Sequence, residues 1–273
     1  MLNTKWLETE LASESSGTAW EQFHECSKTG HYDIGLPTER VVEEMNGLYE
    51  SLPYRNLASI ALPDALAPVE RGFAETVLGR ITPSAIRPVS ISLLALRTIL
   101  HFAYGLTRDN HDNAHIHRAF RSVPSGGALY PLELYFYHSG FVEGLPPGIF
   151  HYSPEANALH QVSSGNCDDQ LSRALVEFQR DLPSKLSVTI FITALFNRSV
   201  FKYRDKGYRF TLLEAGHVAQ NINLGATALG LGVINLGGFH DRLIDDMLGL
   251  DGLNHSILYL NGLCARDDDD ARG

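Results

Sequence analysis

The chain has 273 residues, with 22 basic against 32 acidic side chains and a formal net charge of −10. That length allows one large domain with its own buried core, so no disulfide or structural metal is needed to hold it together, and the acidic balance argues against a duplex nucleic-acid binder, which must neutralise phosphates. Cys26, Cys167 and Cys264 lie far apart, the start from Met1 to Glu10 is polar, and no window reaches the roughly 18 apolar residues of a membrane span, so a reduced, soluble, cytoplasmic protein is expected.

Residues 1–66 read as an N-terminal extension of short helices and irregular turns, ending in the loop from Leu62 to Pro68, whose two prolines disfavour helix. From Ser90 to Tyr104, Ile91, Leu93, Leu94, Leu96, Ile99, Leu100 and Phe102 recur at helical spacing and Gly105 supplies a stop, which predicts a core helix. The period then changes: Leu132 to Tyr137, Gly148 to Tyr152 and Ala158 to Val162 read as strands, the last two as a hairpin. A helix from Asp168 to Gln179 and a buried, β-branched strand from Ser187 to Ala194 follow.

From Gly207 to Gly232 apolar residues cover a predicted helix nearly all round, so it is central or buried in a subunit contact. Gly216, Gly225 and Gly230 would each cost about 1 kcal/mol relative to alanine, which points to close packing against another element. A short strand Val233 to Leu236, the turn Gly237-Gly238-Phe239, a helix Asp241 to Leu248 and a strand Ser256 to Asn261 precede a solvated aspartate tail. The whole reads as one α+β unit with an extension.

Three constellations carry chemistry. Pro124-Ser125-Gly126-Gly127-Ala128-Leu129-Tyr130-Pro131 presents bare backbone at a strand entrance, where a flat ring or a phosphate can approach; its plain alternative is an ordinary tight turn. It is neither a P-loop nor a Rossmann fingerprint. The stretch from Phe201 to Phe210 interleaves four cations with aromatic groups; it is either a solvated turn or the place where Lys202 serves as a base. Glu214, His217 and Asn221 form a polar stripe on the apolar helix and need partners. Glu214-x-x-His217 with Glu21-x-x-His24 has di-iron spacing, but the strands argue against the four-helix bundle such a site uses. His111, His115 and His117 have metal-like spacing and read better as solvated loop histidines, so no metal is expected.

Five segments in order carry a resemblance: Arg80-Ile81-Thr82-Pro83-Ser84, the Pro124 to Pro131 loop, Lys202-Tyr203 with Gly207-Tyr208-Arg209, Glu214-Ala215-Gly216-His217 with Gln220-Asn221, and Gly230-Leu231-Gly232 leading to Gly237-Gly238-Phe239. Over about residues 70 to 262 the chain resembles the nitroreductase superfamily, and within it the SagB or ThcOx dehydrogenases that include the microcin-type azoline dehydrogenases.

The resemblance implies an α+β homodimer with a central mixed or antiparallel sheet, helices flanking it, a long buried central helix, and flavin mononucleotide (FMN) held in a cleft between subunits by residues 67–273. Arg80, Thr82 and Ser84 match the segment that holds phosphate and ribityl oxygens. Ile81 and Ser84 stand where the family pattern has further basic residues, so another cation is needed, with Arg121 and Arg209 as candidates. Pro124, Ser125, Gly126, Gly127 and Ala128 match the loop against the isoalloxazine ring, and Asn235, Gly237 and Gly238 match the segment whose backbone meets the ring near N5.

Lys202-Tyr203 matches the pair associated with catalysis. The implied reaction oxidises thiazoline or oxazoline rings of a ribosomally made precursor peptide to azoles, alongside cyclodehydratase subunits. Lys202 takes the Cα proton as general base, Tyr203 orients the ring or the lysine, and the Cβ hydride passes to flavin N5. The alternatives are an NAD(P)H-dependent nitro- or quinone reductase, or a non-catalytic scaffold subunit on the same fold.

Overall fold

The computed structural model describes residues 19–30, 35–110 and 118–266; the histidine loop, the polar start and the aspartate tail lie outside the described residues. In chain order the first elements are helices α1 (Ala19–Cys26) and α2 (Thr38–Asn46), strand β1 (Ser59–Ala61) and helices α3 (Phe73–Leu78) and α4 (Leu93–Tyr104). The short strands β2 (Leu106–Arg108) and β3 (Phe120–Arg121) lead to β4 (Leu132–His138), β5 (Gly148–Ser153) and β6 (Ala158–Ser164). The rest is α5 (Asp168–Ala174), β7 (Val188–Leu195), α6 (Asn197–Tyr203), α7 (Asp205–Ala228), β8 (Leu231–Leu236), α8 (Asp241–Leu248) and β9 (His255–Ala265).

Seven strands form one sheet in the order β1-β6-β5-β4-β7-β9-β8. Every pairing among them is antiparallel, which resolves the expected mixed-or-antiparallel sheet. Alternation along β4 shows why both faces are covered. Leu132, Leu134 and Phe136 pack with Ile99, Val218 and Ile222 of α4 and α7, while Tyr135 and Tyr137 join Leu171 and Ile244 of α5 and α8 on the other side. The molecule is thus three layers, helices over sheet over helices.

Strand β1 adds a sheet strand to a start expected as short helices and irregular turns. Ser59, Ile60 and Ala61 pair with His160, Leu159 and Ala158 at the sheet edge. Three residues are too few to show an alternating pattern, so only tertiary pairing reveals the strand. The helix expected through Gln179 ends at Ala174, because Leu175 bridges Phe239 and Val176 N–H donates to Gly238 O at 3.3 Å.

Helix α7 is 24 residues long and meets the sheet and α4 with one face. Its other face leaves Leu212 40% and Leu213 57% exposed in the single chain, so the apolar cover is not all internal. Of the three glycines expected to pack closely, Gly225 is in contact, a Cβ there lying 3.4 Å from Phe102; Gly216 faces open space, and Gly230 has the positive φ (77°) of a residue just past a helix end, while the tightest glycine of α7 is Gly207, where a Cβ would stand 2.8 Å from the Ser199 backbone. The polar stripe also divides. Glu214 is buried, the Asn221 side-chain amide donates to Phe102 O at 2.9 Å, and His217 is exposed.

Candidate functional site

The loop between β3 and β4 is bent by its own sequence. Gly127 has φ 67°, and Ala128 (53°) and Tyr130 (46°) share the left-handed region, which costs a non-glycine residue about 1–2 kcal/mol. Local bonds hold the bend: Ser125 Oγ accepts from Tyr130 N–H at 2.9 Å, and Tyr130 Oη accepts from Arg121 N–H at 3.0 Å.

Against this loop the chain brings Lys202 and Tyr203, from the end of α6. A Cβ added to Gly127 would stand 2.6 Å from Tyr203 Oη and 2.8 Å from Lys202 Nζ. Phe210, from α7, would lie 3.0 Å from a Cβ on Gly126 and meets the Tyr203 ring edge-on, centroids 5.0 Å apart. The two glycines are therefore small because side chains of the predicted catalytic pair and its neighbour occupy the space. The loop lines a cleft of about 690 Å³ with Thr107, Arg108, Phe120 and Arg121. Lys202 and Tyr203 are not among the residues that line this cleft; they line a second hollow of about 330 Å³, whose far wall is Cys26, Lys28 and Thr29 beside α1.

What fixes α6 is a buried ion pair that sequence reading passed over. Arg198 lies one turn before Lys202, and its guanidinium meets Glu133 Oε1 of β4 at 2.7 Å. It also donates to Tyr130 O, at the loop end, at 3.4 Å. Glu133 further accepts from Leu52 N–H at 3.1 Å and meets His151 Nε2 at 2.7 Å. Burial alone would push this carboxyl up, but the Arg198 charge and the His151 hydrogen bond outweigh it and hold it at about 2. A lone acidic residue inside an apolar strand was the available signal.

The remaining predicted cofactor residues gather elsewhere, along β8. Pro83 packs on Gly232, where a Cβ would be 2.3 Å from its ring, so the Arg80 to Ser84 segment lies over the start of β8; Thr82 and Ser84 are exposed and Arg80 is half-buried. Asn235 exchanges amide hydrogen bonds with Asn223 at 2.9 and 3.1 Å and accepts another from Asn261. Gly237 has open space around it, whereas Gly238 packs on Val176 at 3.2 Å. None of Arg80, Thr82, Ser84, Asn235, Gly237 or Gly238 is among the residues that line the 690 Å³ cleft.

Of the two cations named for the phosphate, Arg209 is committed to α1 and the turn after it, donating to His24 O at 3.2 Å and to Ser27 Oγ. Arg121 lies over the Tyr104 ring at 4.2 Å, and its Nη1 is buried without a hydrogen-bond partner. Sequence reading missed Arg266, placed in the tail. A Cβ on Gly79 would stand 3.5 Å from Arg266 Nη2 and 3.6 Å from Arg71 Nη1, so both guanidinium groups flank the entry to the Arg80 segment, and Arg266 Nη1 has no partner. Arg121 Nη1 and Arg266 Nη1 can each take an oxygen of an anionic group such as the phosphate of FMN, but side chains already fill the approach to Gly126 and to one side of Gly127, so the surface left for a flat ring is the cleft face of Pro124, Ser125, Gly127 and Ala128. Among the described residues no group of three or more His, Cys, Asp or Glu side chains is placed to hold a metal, and no helix is long and apolar enough to cross a membrane.

Fold and sequence together define the class. The nitroreductase family model matches residues 88–263, and the chain belongs to that family, whose members are oxidoreductases. The chain is 34% identical over 192 residues to the nitroreductase-type protein MJ1384 of Methanocaldococcus jannaschii, covering 69% of this chain and 88% of that protein. It is also 34% identical over 134 residues to the microcin B17-processing protein McbC of Escherichia coli, covering 48% of this chain and 49% of that one, so the match spans about half of McbC. A chain of the E. coli microcin synthetase McbBCD complex, solved with truncated pro-MccB17 bound, superposes with TM-score 0.59 at 22% identity, over 91% of this chain and 92% of the other.

Proposed function

We propose that the protein is an FMN-dependent azoline dehydrogenase that converts thiazoline or oxazoline rings of a precursor peptide to thiazoles or oxazoles. The observation that carries this reading is the convergence of Lys202 Nζ and Tyr203 Oη on the backbone of Gly127. The likeness to a microcin-processing protein supports the choice of substrate.

In this reading Pro124, Ser125, Gly126, Gly127 and Ala128, with Asn235, Gly237 and Gly238, would hold the ring of the cofactor, and Arg80, Thr82 and Ser84 with Arg266 would hold its phosphate. FMN, when bound, supplies the two-electron acceptor for the hydrogen on the azoline Cβ. Lys202 removes the Cα proton, which the adjacent imine and carbonyl acidify, and Tyr203 orients the ring or the lysine by hydrogen bonding. The buried Arg198–Glu133 pair keeps Lys202 within reach of the loop.

The Arg80 and β8 residues do not line the 690 Å³ cleft of the glycine loop, and in this reading the site is completed in a homodimer, with the exposed Leu212 and Leu213 of α7 in the subunit contact. Cyclodehydratase subunits supply the azoline peptide. The test is mass spectrometry of an azoline peptide incubated with the FMN-loaded protein and those subunits. Each ring oxidised removes about 2 Da. Lys202→Ala, with FMN retained, is expected to lower the rate at least about a hundredfold. No mass change with the FMN-loaded wild type, together with rapid bleaching of its flavin by NADPH, would favour a nitro- or quinone reductase instead.

A further inference from the structure

The hollow beside Lys202 carries a charge that the proposed reaction does not account for. Lys202 and Tyr203 line it and not the 690 Å³ cleft, so it is the open side from which a peptide reaches the lysine. Among the described residues, Lys28, Lys202, Arg204 and Lys206 stand round its 330 Å³ against the single carboxylate of Asp205. The chain as a whole has a net charge of −10, so this gathering of cations is local and runs against the overall field of the protein.

Three of the four cations are already engaged. Lys28 pairs with Glu25, Lys206 donates to Thr29 Oγ1 at 2.6 Å, and Lys202 Nζ is held at the backbone of Gly127 beside the Tyr203 phenol. The Arg204 side chain is exposed and makes no hydrogen bond or ion pair among the described residues.

Its backbone sharpens the point. Arg204 joins α6 to α7 with φ 52° and ψ −136°, a conformation that favours glycine and costs another residue about 1–3 kcal/mol. Two hydrogen bonds hold it there, from its own N–H to Val200 O at 2.7 Å and from Gly207 N–H to its carbonyl at 2.8 Å. Glycine would make the same junction without strain, so the backbone does not call for an arginine, whereas a task for the guanidinium in the hollow does. Its planar fork matches the two oxygens of a carboxylate. We propose that the hollow is a carboxylate subsite for the peptide substrate, in which Arg204 receives an acidic side chain or the free C-terminus of the peptide while the azoline ring lies at Lys202.

This inference rests on the reading that Lys202 acts on an azoline peptide. The experiment is calorimetric titration of the FMN-loaded protein with four short thiazole peptides, which as products bind without turnover, carrying Asp or Asn beside the ring and a free or amidated C-terminus. At least one carboxylate should tighten binding about fivefold over the fully neutral peptide, a modest gain because the guanidinium is exposed to water. A gain that follows Asp assigns the subsite to a side chain, and one that follows the free C-terminus assigns it to the chain end. Arg204→Gly should bind all four peptides alike. Arg204→Gln, which keeps the length and drops the charge, should do the same and serves as the test if Arg204→Gly fails to fold as judged by circular dichroism. No preference in the wild type, or a preference that survives in either variant, would overturn the subsite. The azoline reading is scored apart from it, on the thiazoline forms of the same peptides, which lose about 2 Da per ring if that reading holds.

Discussion

The two halves of the candidate site are built by opposite means. Around Gly127 the chain has already committed its resources: a left-handed bend, a buried ion pair and two side chains pressed against bare backbone. Along β8 the Arg80 to Ser84 segment and Gly237 lie open, with exposed hydroxyls and free space. The half assigned to proton transfer is preorganised within one chain, where a misplacement of an ångström is costly. The half proposed to hold the cofactor is open in the single chain.

Breaking the prebuilt half should have the larger effect. Glu133→Ala leaves Arg198 buried without its partner and is expected to cost about 3–5 kcal/mol in denaturant unfolding. The same carboxylate makes the fold acid-sensitive. Its pKa is lowered from 4.5 to about 2, so its stabilisation is complete above 4.5 and is lost as the pH falls from there towards 2. His255 acts in the preceding window: burial lowers it from 6.5 to about 4, so the unfolded chain takes up that proton first and stability falls between those values. A wild type that keeps its full stability from pH 7 to pH 3 would contradict both assignments.

On the open half the effect is smaller and specific to one ligand. Arg266→Ala should weaken FMN by about tenfold or more, the worth of a hydrogen bond to a charged group, and leave riboflavin unchanged in the same titration. An equal loss for both ligands would place Arg266 outside the phosphate site.

The contrast also explains what could be read in advance. The loop and the Lys202-Tyr203 pair are contiguous motifs, and the strands from Leu132 to Val162 announce themselves by composition, so these were legible. The Arg198–Glu133 pair joins residues that no periodicity connects, one on a helix that the sequence shows only as a charged stretch. Arg266 reads as the start of a solvated tail, because only the turn of the chain beside Gly79 brings it to the Arg80 segment. Gly216 reads as a packing glycine because the pattern counts apolar residues all round α7, whereas one chain covers only one of its faces.

The most direct measurement is the visible absorption spectrum of the purified chain after incubation with FMN and removal of unbound ligand. The yellow bands of a bound flavin, at close to one per chain, are the expected result. A colourless protein that takes up no flavin under any loading condition would contradict the assignment of the glycine loop, and with it the role given to Lys202.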